Sequence, residues 1–357
     1  MTGSWNPVRV GLIGYGYAGR TFHAPLIDSV PETTLACIAS SRPAEVLATR
    51  PASHVVVDPS DILKDGTIDL VVVATPNDSH AEWAQAALEA GKNVVVEKPF
   101  TTSLAEARAL CATARQRGRL LAVFHNRRWD SDFLTVKEAI ESGAVGRVVH
   151  FESHIDRYRP HVRERWREAA GSGTGIWYDL GPHIIDQALL LFGPPTGITA
   201  TLRRVRNGAL ADDWAHAILH YDNMSVILHA SMLVAGGSPR FIVHADKGSL
   251  IKCKADQQEA QLLAGKLPGT ADWGHDGDPL RRWDESGSEF LEPACRGDQS
   301  AFYRQIAAAV RGEAANPTPA PQILAVMAVI EAGIRSSRAG KTVVPEFEAH
   351  QSRADVD

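Results

Sequence analysis

Residues 10–26 read VGLIGYGYAGRTFHAPL, and the rest of the chain takes its order from them. Val8, Val10, Leu12 and Ile13 make an apolar strand that runs into Gly14, Gly16 and Gly19, spaced as G-x-G-x-x-G. Each glycine has a physical task in a dinucleotide site: Gly14 permits the tight turn, Gly16 lets backbone approach a pyrophosphate, and Gly19 lets the next helix lie against the strand. Tyr17 and Ala18 fall in the same loop and join the candidate cofactor contacts. The helix expected here would offer unpaired N–H groups and a positive dipole end to phosphates. A glycine turn alone also suits a plain strand-to-helix connection. A preceding strand and a following helix are the context that a nucleotide site needs.

Beyond the loop, strands and helices alternate. Residues 34–39 (TLACIA), 55–57, 68–74 (IDLVVVA), 93–96 and 120–124 read as strands, the third so continuously apolar that both its faces should be covered. Residues 44–48, 59–64, 79–90 and 104–117 read as helices, the last two closed by Gly91 and Gly118. This alternation predicts an α/β fold with a doubly wound parallel sheet, a Rossmann domain over 1–125. After a helix at 131–141 the pattern changes. Strand-like segments at 147–156, 198–206, 214–221, 225–232, 241–245 and 249–253 predict a large open, mostly antiparallel sheet, interrupted by a helix at 175–191. Residues 265–283 read as loop, and helices are expected at 302–311 and 322–338 around a Pro/Ala linker. The second domain is set at 126–357, its last helices free to pack back on the first.

Composition narrows the class. The chain has 357 residues, 44% hydrophobic and 22% charged, with a net charge of -5, an ordinary globular balance long enough for two domains. Neither a nucleic-acid nor a membrane surface is indicated. Cys37, Cys111, Cys253 and Cys295 form no C-x-x-C pair, so reduced thiols in a cytoplasmic protein are expected. The opening residues show no signal peptide pattern, and the apolar runs are too short to span a bilayer.

A second motif follows the strand at 93–96: Glu97-Lys98-Pro99. Ligands of parallel sheets bind outside the carboxyl ends of the strands, so Lys98 faces the cofactor crevice. Pro99 holds Lys98 extended and fixes the direction of its side chain. A third motif lies in residues 173–193, GTGIWYDLGPHIIDQALLLFG, where Asp179 and His183 stand four apart on one helical face. Asp186 borders that face. Metal binding by Asp179, His183, Asp186 and His125 is disfavoured, because no cysteine pair or H-E-x-x-H accompanies them.

In order and spacing, Gly14-x-Gly16-x-x-Gly19, Ala74-Thr75-Pro76-Asn77 with His80, and Glu97-Lys98-Pro99 resemble the Gfo/Idh/MocA oxidoreductase family over nearly the whole chain. The resemblance implies a Rossmann domain followed by an α/β domain with a large open sheet. It implies that Thr75, Pro76, Asn77 and His80 lie beside the cofactor and Glu97 near the nicotinamide ribose. Lys98, Asp179 and His183 would be catalytic, the bond before Pro99 would often be cis, and the sheet would join copies into a homodimer or homotetramer. The segments GYGYAGRTFHAPLI, FHNRRWDSDFL and GIWYDLGPHIIDQAL resemble the NADP-dependent scyllo-inositol dehydrogenase branch.

Cofactor choice is read at the end of the second strand, where NAD sites usually carry a carboxylate. Here Ser40, Ser41 and Arg42 offer donors and a positive charge to a 2′-phosphate, so NADP is expected over NAD, with NAD kept open by the nearby Glu45. The substrate side is predicted to use His125, Asn126 and Arg127, with Arg157, Tyr158, Arg163, Trp166 and Tyr178. These supply the donors, acceptors and aromatic faces that a polyol needs. The expected activity is hydride transfer between nicotinamide and a secondary alcohol or ketone of a cyclic polyol or sugar. The alternatives are another sugar or small-carbonyl dehydrogenase of the same family, and a non-catalytic NADP-binding regulator or scaffold.

Overall fold

A computed structural model describes residues 6–347. The chain divides into two compact units. The first holds Met1–Asn126, Gln258–Gly274 and Asp298–Ile323; the second holds Arg127–Gln257, His275–Gly297 and Leu324–Asp357.

The first unit is built on six parallel strands: β1 (Val8–Ile13), β2 (Thr33–Ala39), β3 (Val55–Val56), β4 (Leu70–Val73), β5 (Asn93–Val96) and β6 (Leu121–Val123). Their order is β3-β2-β1-β4-β5-β6. The crossovers are α1 (Ala24–Asp28), α2 (Pro43–Thr49), α3 (Ser60–Lys64), α4 (His80–Glu89) and α5 (Leu104–Arg117). The strands β4 and β5 hold Leu70 to Val73 and Val94 to Val96 out of water, as their unbroken apolar sequence requires. Ser103 and Glu106 close a capping box at the start of α5, and Gly118 ends it at φ 62°. The Pro/Ala linker has a defined task. Asn316 donates to the Leu121 carbonyl and the Thr318 hydroxyl accepts the Val123 N–H, which satisfies an edge strand that would otherwise stay open.

The second unit starts with α6 (Ser131–Glu141), β7 (Val148–Asp156), α7 (Ile176–Phe192), β8 (Gly197–Arg203), β9 (Trp214–His220), β10 (Ser225–Ser231), β11 (Phe241–Ala245) and β12 (Gly248–Lys252). After α8 (Gln258–Leu263), which belongs to the first unit, come β13 (Leu280–Asp284) and β14 (Glu289–Glu292). The sheet has eight strands in the order β14-β13-β12-β11-β7-β10-β9-β8, antiparallel except for the β7–β10 pair. Later in the chain come α9 (Ser300–Val310), in the first unit, and α10 (Ala320–Ala339). The β8 edge is covered too: Ser336 and Ser337 hydroxyls accept the N–H groups of Ala200 and Leu202, and Val343 bridges Ile198.

Three expectations need correction. Residues 265–283 are not all loop, because β13 begins at Leu280 and pairs with β12 and β14. The strand expected to reach 206 stops at Arg203, because Asp213 takes the Val205 N–H at 2.7 Å and the Arg206 guanidinium at 2.8 Å, peeling the chain from the ladder. The first crossover is a π-turn over Gly19–His23 that continues into α1, rather than one uniform helix. Among the described residues no helix is long and apolar enough to cross a membrane.

Candidate active site

In the first unit the glycine loop leaves β1 with a geometry that only glycine fits at two of its three positions. Gly14 has φ +99°, and a Cβ there would lie 2.6 Å from the Ala74 carbonyl oxygen. A Cβ on Gly19 would lie 2.2 Å from the Gly14 carbonyl oxygen. Gly16 is different, because a Cβ there meets nothing within 4 Å. Its missing side chain leaves open space beside exposed backbone, the cradle that a pyrophosphate needs. Tyr17 is partly exposed and its hydroxyl donates to Glu259 at 2.6 Å. The sequence did not announce that tie between the loop and α8.

At the carboxyl end of β2, Ser40 accepts the Arg42 N–H, and Ser41 and Arg42 are exposed. The Arg42 guanidinium sits 3.2 Å from Glu45, with both side chains about two-thirds exposed, so this ion pair is weak and exchangeable. After β4, Thr75 and Pro76 lead into a turn at Asn77–Ser79, with Asn77 buried. Both ring nitrogens of buried His80 face carbonyl oxygens at 2.9 Å, those of Pro99 and Thr75. A neutral ring could donate to only one of them.

Glu97 and Lys98 follow β5 directly, and the Lys98–Pro99 peptide bond is cis. One Glu97 oxygen accepts the Lys98 backbone N–H at 2.9 Å, and the other lies 3.0 Å from His23 Nε2. Burial acts to lift the Glu97 carboxyl. The hydrogen bond from His23, with the charges of Lys98 and His80, outweighs it and holds the group below the usual carboxylate range. His125 and Asn126, just after β6, are buried.

In the second unit Asp179, His183 and Asp186 all lie on α7. Directional bonds fix this helix along its length. Asp212 accepts the Trp177 N–H at 2.8 Å, a cap supplied from far along the chain. Burial lifts the Asp212 carboxyl to about 6, against the hydrogen bonds that it accepts. Trp177 donates its ring N–H to the Ile330 carbonyl at 3.0 Å, and Arg128 grips Asp186 with two bonds of 2.8 and 2.6 Å. Gln187 accepts from buried Arg240 at 2.7 Å and donates to the Arg127 carbonyl at 2.9 Å. Asp186 is thus committed to Arg128, while Asp179 lies 3.6 Å from Arg167 and His183 is almost fully buried. Arg127 pairs with Asp130 at 2.9 Å. Tyr158, Arg163 and Trp166 are exposed, whereas Arg157 and Tyr178 are half-buried. Sequence reasoning missed Asp212 and the buried His23. Neither carries a local signal beyond its residue type.

The description "Oxidoreductase family, NAD-binding Rossmann fold" matches residues 8–125, and "Oxidoreductase family, C-terminal alpha/beta domain" matches residues 137–345. The chain belongs to the Gfo/Idh/MocA oxidoreductase family. It is 50% identical over 334 residues to the uncharacterized oxidoreductase YdgJ of Escherichia coli (strain K12), covering 93% of this chain and 96% of that one. It is 39% identical to the scyllo-inositol 2-dehydrogenase (NADP(+)) IolW of Bacillus subtilis (strain 168), covering 95% of this chain and 96% of that one. A solved oxidoreductase structure from Bacillus cereus superposes with a TM-score of 0.87 at 29% identity, covering 96% of this chain and 99% of that one. As a Gfo/Idh/MocA protein the chain is an oxidoreductase with a dinucleotide-binding Rossmann domain, and the open backbone at Gly16 fits that ligand.

Proposed function

We propose that this oxidoreductase is NADP-dependent and interconverts a secondary alcohol and its ketone on a cyclic polyol or sugar of the inositol kind. The observation that carries the reading is Lys98 at the carboxyl end of β5, in the same sheet as the glycine loop and with its backbone held by Glu97. The similarity to IolW, named for scyllo-inositol and NADP, supports the substrate class. The nicotinamide, when bound, supplies the hydride acceptor. Gly14, Gly16, Tyr17, Ala18 and Gly19 would hold the pyrophosphate, Thr75, Pro76, Asn77 and His80 would line the cofactor, and Glu97 would lie by its nicotinamide ribose.

Oxidation also requires a base for the hydroxyl proton and a donor for the developing oxyanion. His183, through a neutral ring nitrogen, would take the proton, and the Lys98 ammonium would donate to the substrate oxygen. Asp179 would orient Lys98 or His183 and accept from a substrate hydroxyl. His125, Asn126, Arg127, Arg157, Tyr158, Arg163, Trp166 and Tyr178 would contact the polyol. Arg42, with Ser40 and Ser41, would favour the 2′-phosphate. The face of the large sheet that carries Ile218, Ile227 and the histidines His150, His154, His216 and His229 is half-buried in the single chain. We propose that a second copy covers it.

The test is a spectrophotometric screen of NADP and NAD against inositols, aldoses and sugar acids, with Lys98→Met, His183→Ala and Arg42→Ala alongside. The expected result is turnover of a polyol with NADP preferred. Each of the first two variants should lose about a hundredfold or more in kcat, and Arg42→Ala should level the kcat/KM ratio between cofactors. Near-normal turnover in both catalytic variants would refute the assignment. Cofactor binding without turnover across the whole panel would point instead to a regulator.

A further inference from the structure

His23, Tyr303 and Glu97 form a continuous polar chain inside the first unit, and nothing in the proposed chemistry yet uses its first two members. The Tyr303 hydroxyl lies 2.5 Å from His23 Nδ1, and His23 Nε2 lies 3.0 Å from a Glu97 oxygen. His23 and Tyr303 are wholly buried and Glu97 is 6% exposed. Around them the packing is apolar: the Phe124 ring centroid is 4.4 Å from that of His23, and Phe302 packs against both Phe124 and Tyr303.

One proton assignment satisfies the whole chain. The tyrosine O–H donates to Nδ1, and the ring then donates from Nε2 to an ionised Glu97. Burial keeps the Tyr303 hydroxyl protonated, since it pushes that group well above its ordinary range, with the Glu97 charge acting the same way. Three polar side chains in a core cost desolvation that an apolar trio would avoid. What the arrangement gains is a carboxylate that stays charged although buried, at the strand end where ligands of a parallel sheet bind.

We propose that Tyr303 and His23 are positioning residues that hold Glu97 ionised, and that this fixed negative charge makes the site bind the oxidised, cationic nicotinamide in preference to the reduced, neutral one. The inference rests on the dinucleotide reading given above, in which Glu97 would lie by the nicotinamide ribose. An ionised group near the ring attracts the cation and does nothing comparable for the neutral form, so the charge acts on the difference between the two affinities. The groups that face Glu97 are His23, Lys98, His80 and Tyr303; the Lys98 ammonium opposes the Glu97 charge but is the same in every variant compared, so the change in ratio reports Glu97.

The experiment measures dissociation constants of NADP+ and NADPH by titration calorimetry with the full chain, between pH 7 and 9. It compares the wild type with Glu97→Gln, His23→Leu, His23→Gln and Tyr303→Phe. Glu97→Gln should move the ratio of the two constants toward the reduced form by on the order of tenfold. His23→Leu leaves burial opposed by fewer partners, so Glu97 gains a proton as pH falls, and the ratio should become pH-dependent where the wild type is flat. His23→Gln keeps a donor toward Glu97 and should restore much of the wild-type ratio. Tyr303→Phe should shift the ratio about two- to threefold. An unchanged ratio in all four variants overturns the inference while leaving the dinucleotide reading standing. Failure of the wild type to bind either form overturns that reading itself. If His23→Leu does not fold, His23→Gln and Tyr303→Phe decide the matter, because loss of packing alone would weaken both cofactor forms equally.

Discussion

The three loop glycines permit an experiment that separates fold from ligand. Gly19→Ala places a methyl 2.2 Å from the Gly14 carbonyl oxygen, far inside contact distance. That oxygen is backbone in a turn that already uses φ +99°, so it cannot swing aside as a side chain would. Overpacking of this kind costs about 1–3 kcal/mol, and at about 2–4 °C per kcal/mol the melting temperature should fall by roughly 2–12 °C. Gly16→Ala meets nothing within 4 Å and has no left-handed φ, so the folded chain accepts it. Its melting temperature should stay level or rise slightly, because alanine restricts the unfolded chain by about 0.4–1 kcal/mol. The same methyl stands where backbone must approach a pyrophosphate. A lost close contact of about 1–3 kcal/mol weakens binding roughly five- to 150-fold. Scanning fluorimetry and NADPH fluorescence titration read the two quantities independently. Gly16→Ala with wild-type affinity would refute the role given to the loop, and so would an affinity loss matched by an equal loss of stability.

Two further predictions concern the second unit. Asp212 has a folded pKa of about 6 against an ordinary 3.8, so the folded state holds its proton more tightly than the unfolded state does. Its contribution is therefore present at low pH and is lost as pH rises from about 4 to 6, by about 3 kcal/mol in all. Asp212→Asn never ionises and keeps an acceptor for the Trp177 N–H. The melting temperature of the variant relative to wild type should climb between pH 4 and 7, and a constant difference would contradict the assignment. For the sheet face, light scattering should report a dimer or tetramer for the wild type and a lighter species for the double substitution Ile218→Glu, Ile227→Glu; a monomeric wild type would refute the proposal.

The legible parts of the chain were those whose chemistry is local. The glycine loop and the αL glycine at 118 are decided by backbone sterics within a few residues, so their limits could be read directly. The strands β13 and β14 could not. Their apolar content is small, and they exist because β12 offers an edge and because Arg281 and Arg282 reach across to Glu289 and Glu292. The parallel pairing of β7 with β10 was hidden for the same reason. Turn signals report how neighbouring strands connect, and these two are far apart in sequence. The candidate site divides likewise. Motif spacing located Lys98, Asp179 and His183, whereas His23 and Asp212 become visible only through the atoms that the fold brings against them.

What holds the candidate groups is of a different kind from what holds the cores. Apolar packing drives α7 onto its sheet, but such contact is non-directional and tolerates a helix rolling by a few degrees. A roll of that size would carry Asp179 and His183 away from any fixed point. The helix is instead pinned by bonds with direction: Asp212 at its first turn, Trp177 to the Ile330 carbonyl, and Arg128 and Arg240 on Asp186 and Gln187. The first unit follows the same rule, where Lys98 is held through Glu97 and Glu97 through His23 and Tyr303. Buried charges cost stability that apolar residues would not. Under the proposed hydride-transfer chemistry, the concentration of such charges on each of the segments that carry candidate catalytic groups serves to fix the orientation of that segment's groups, which a hydride and a proton moving together would require.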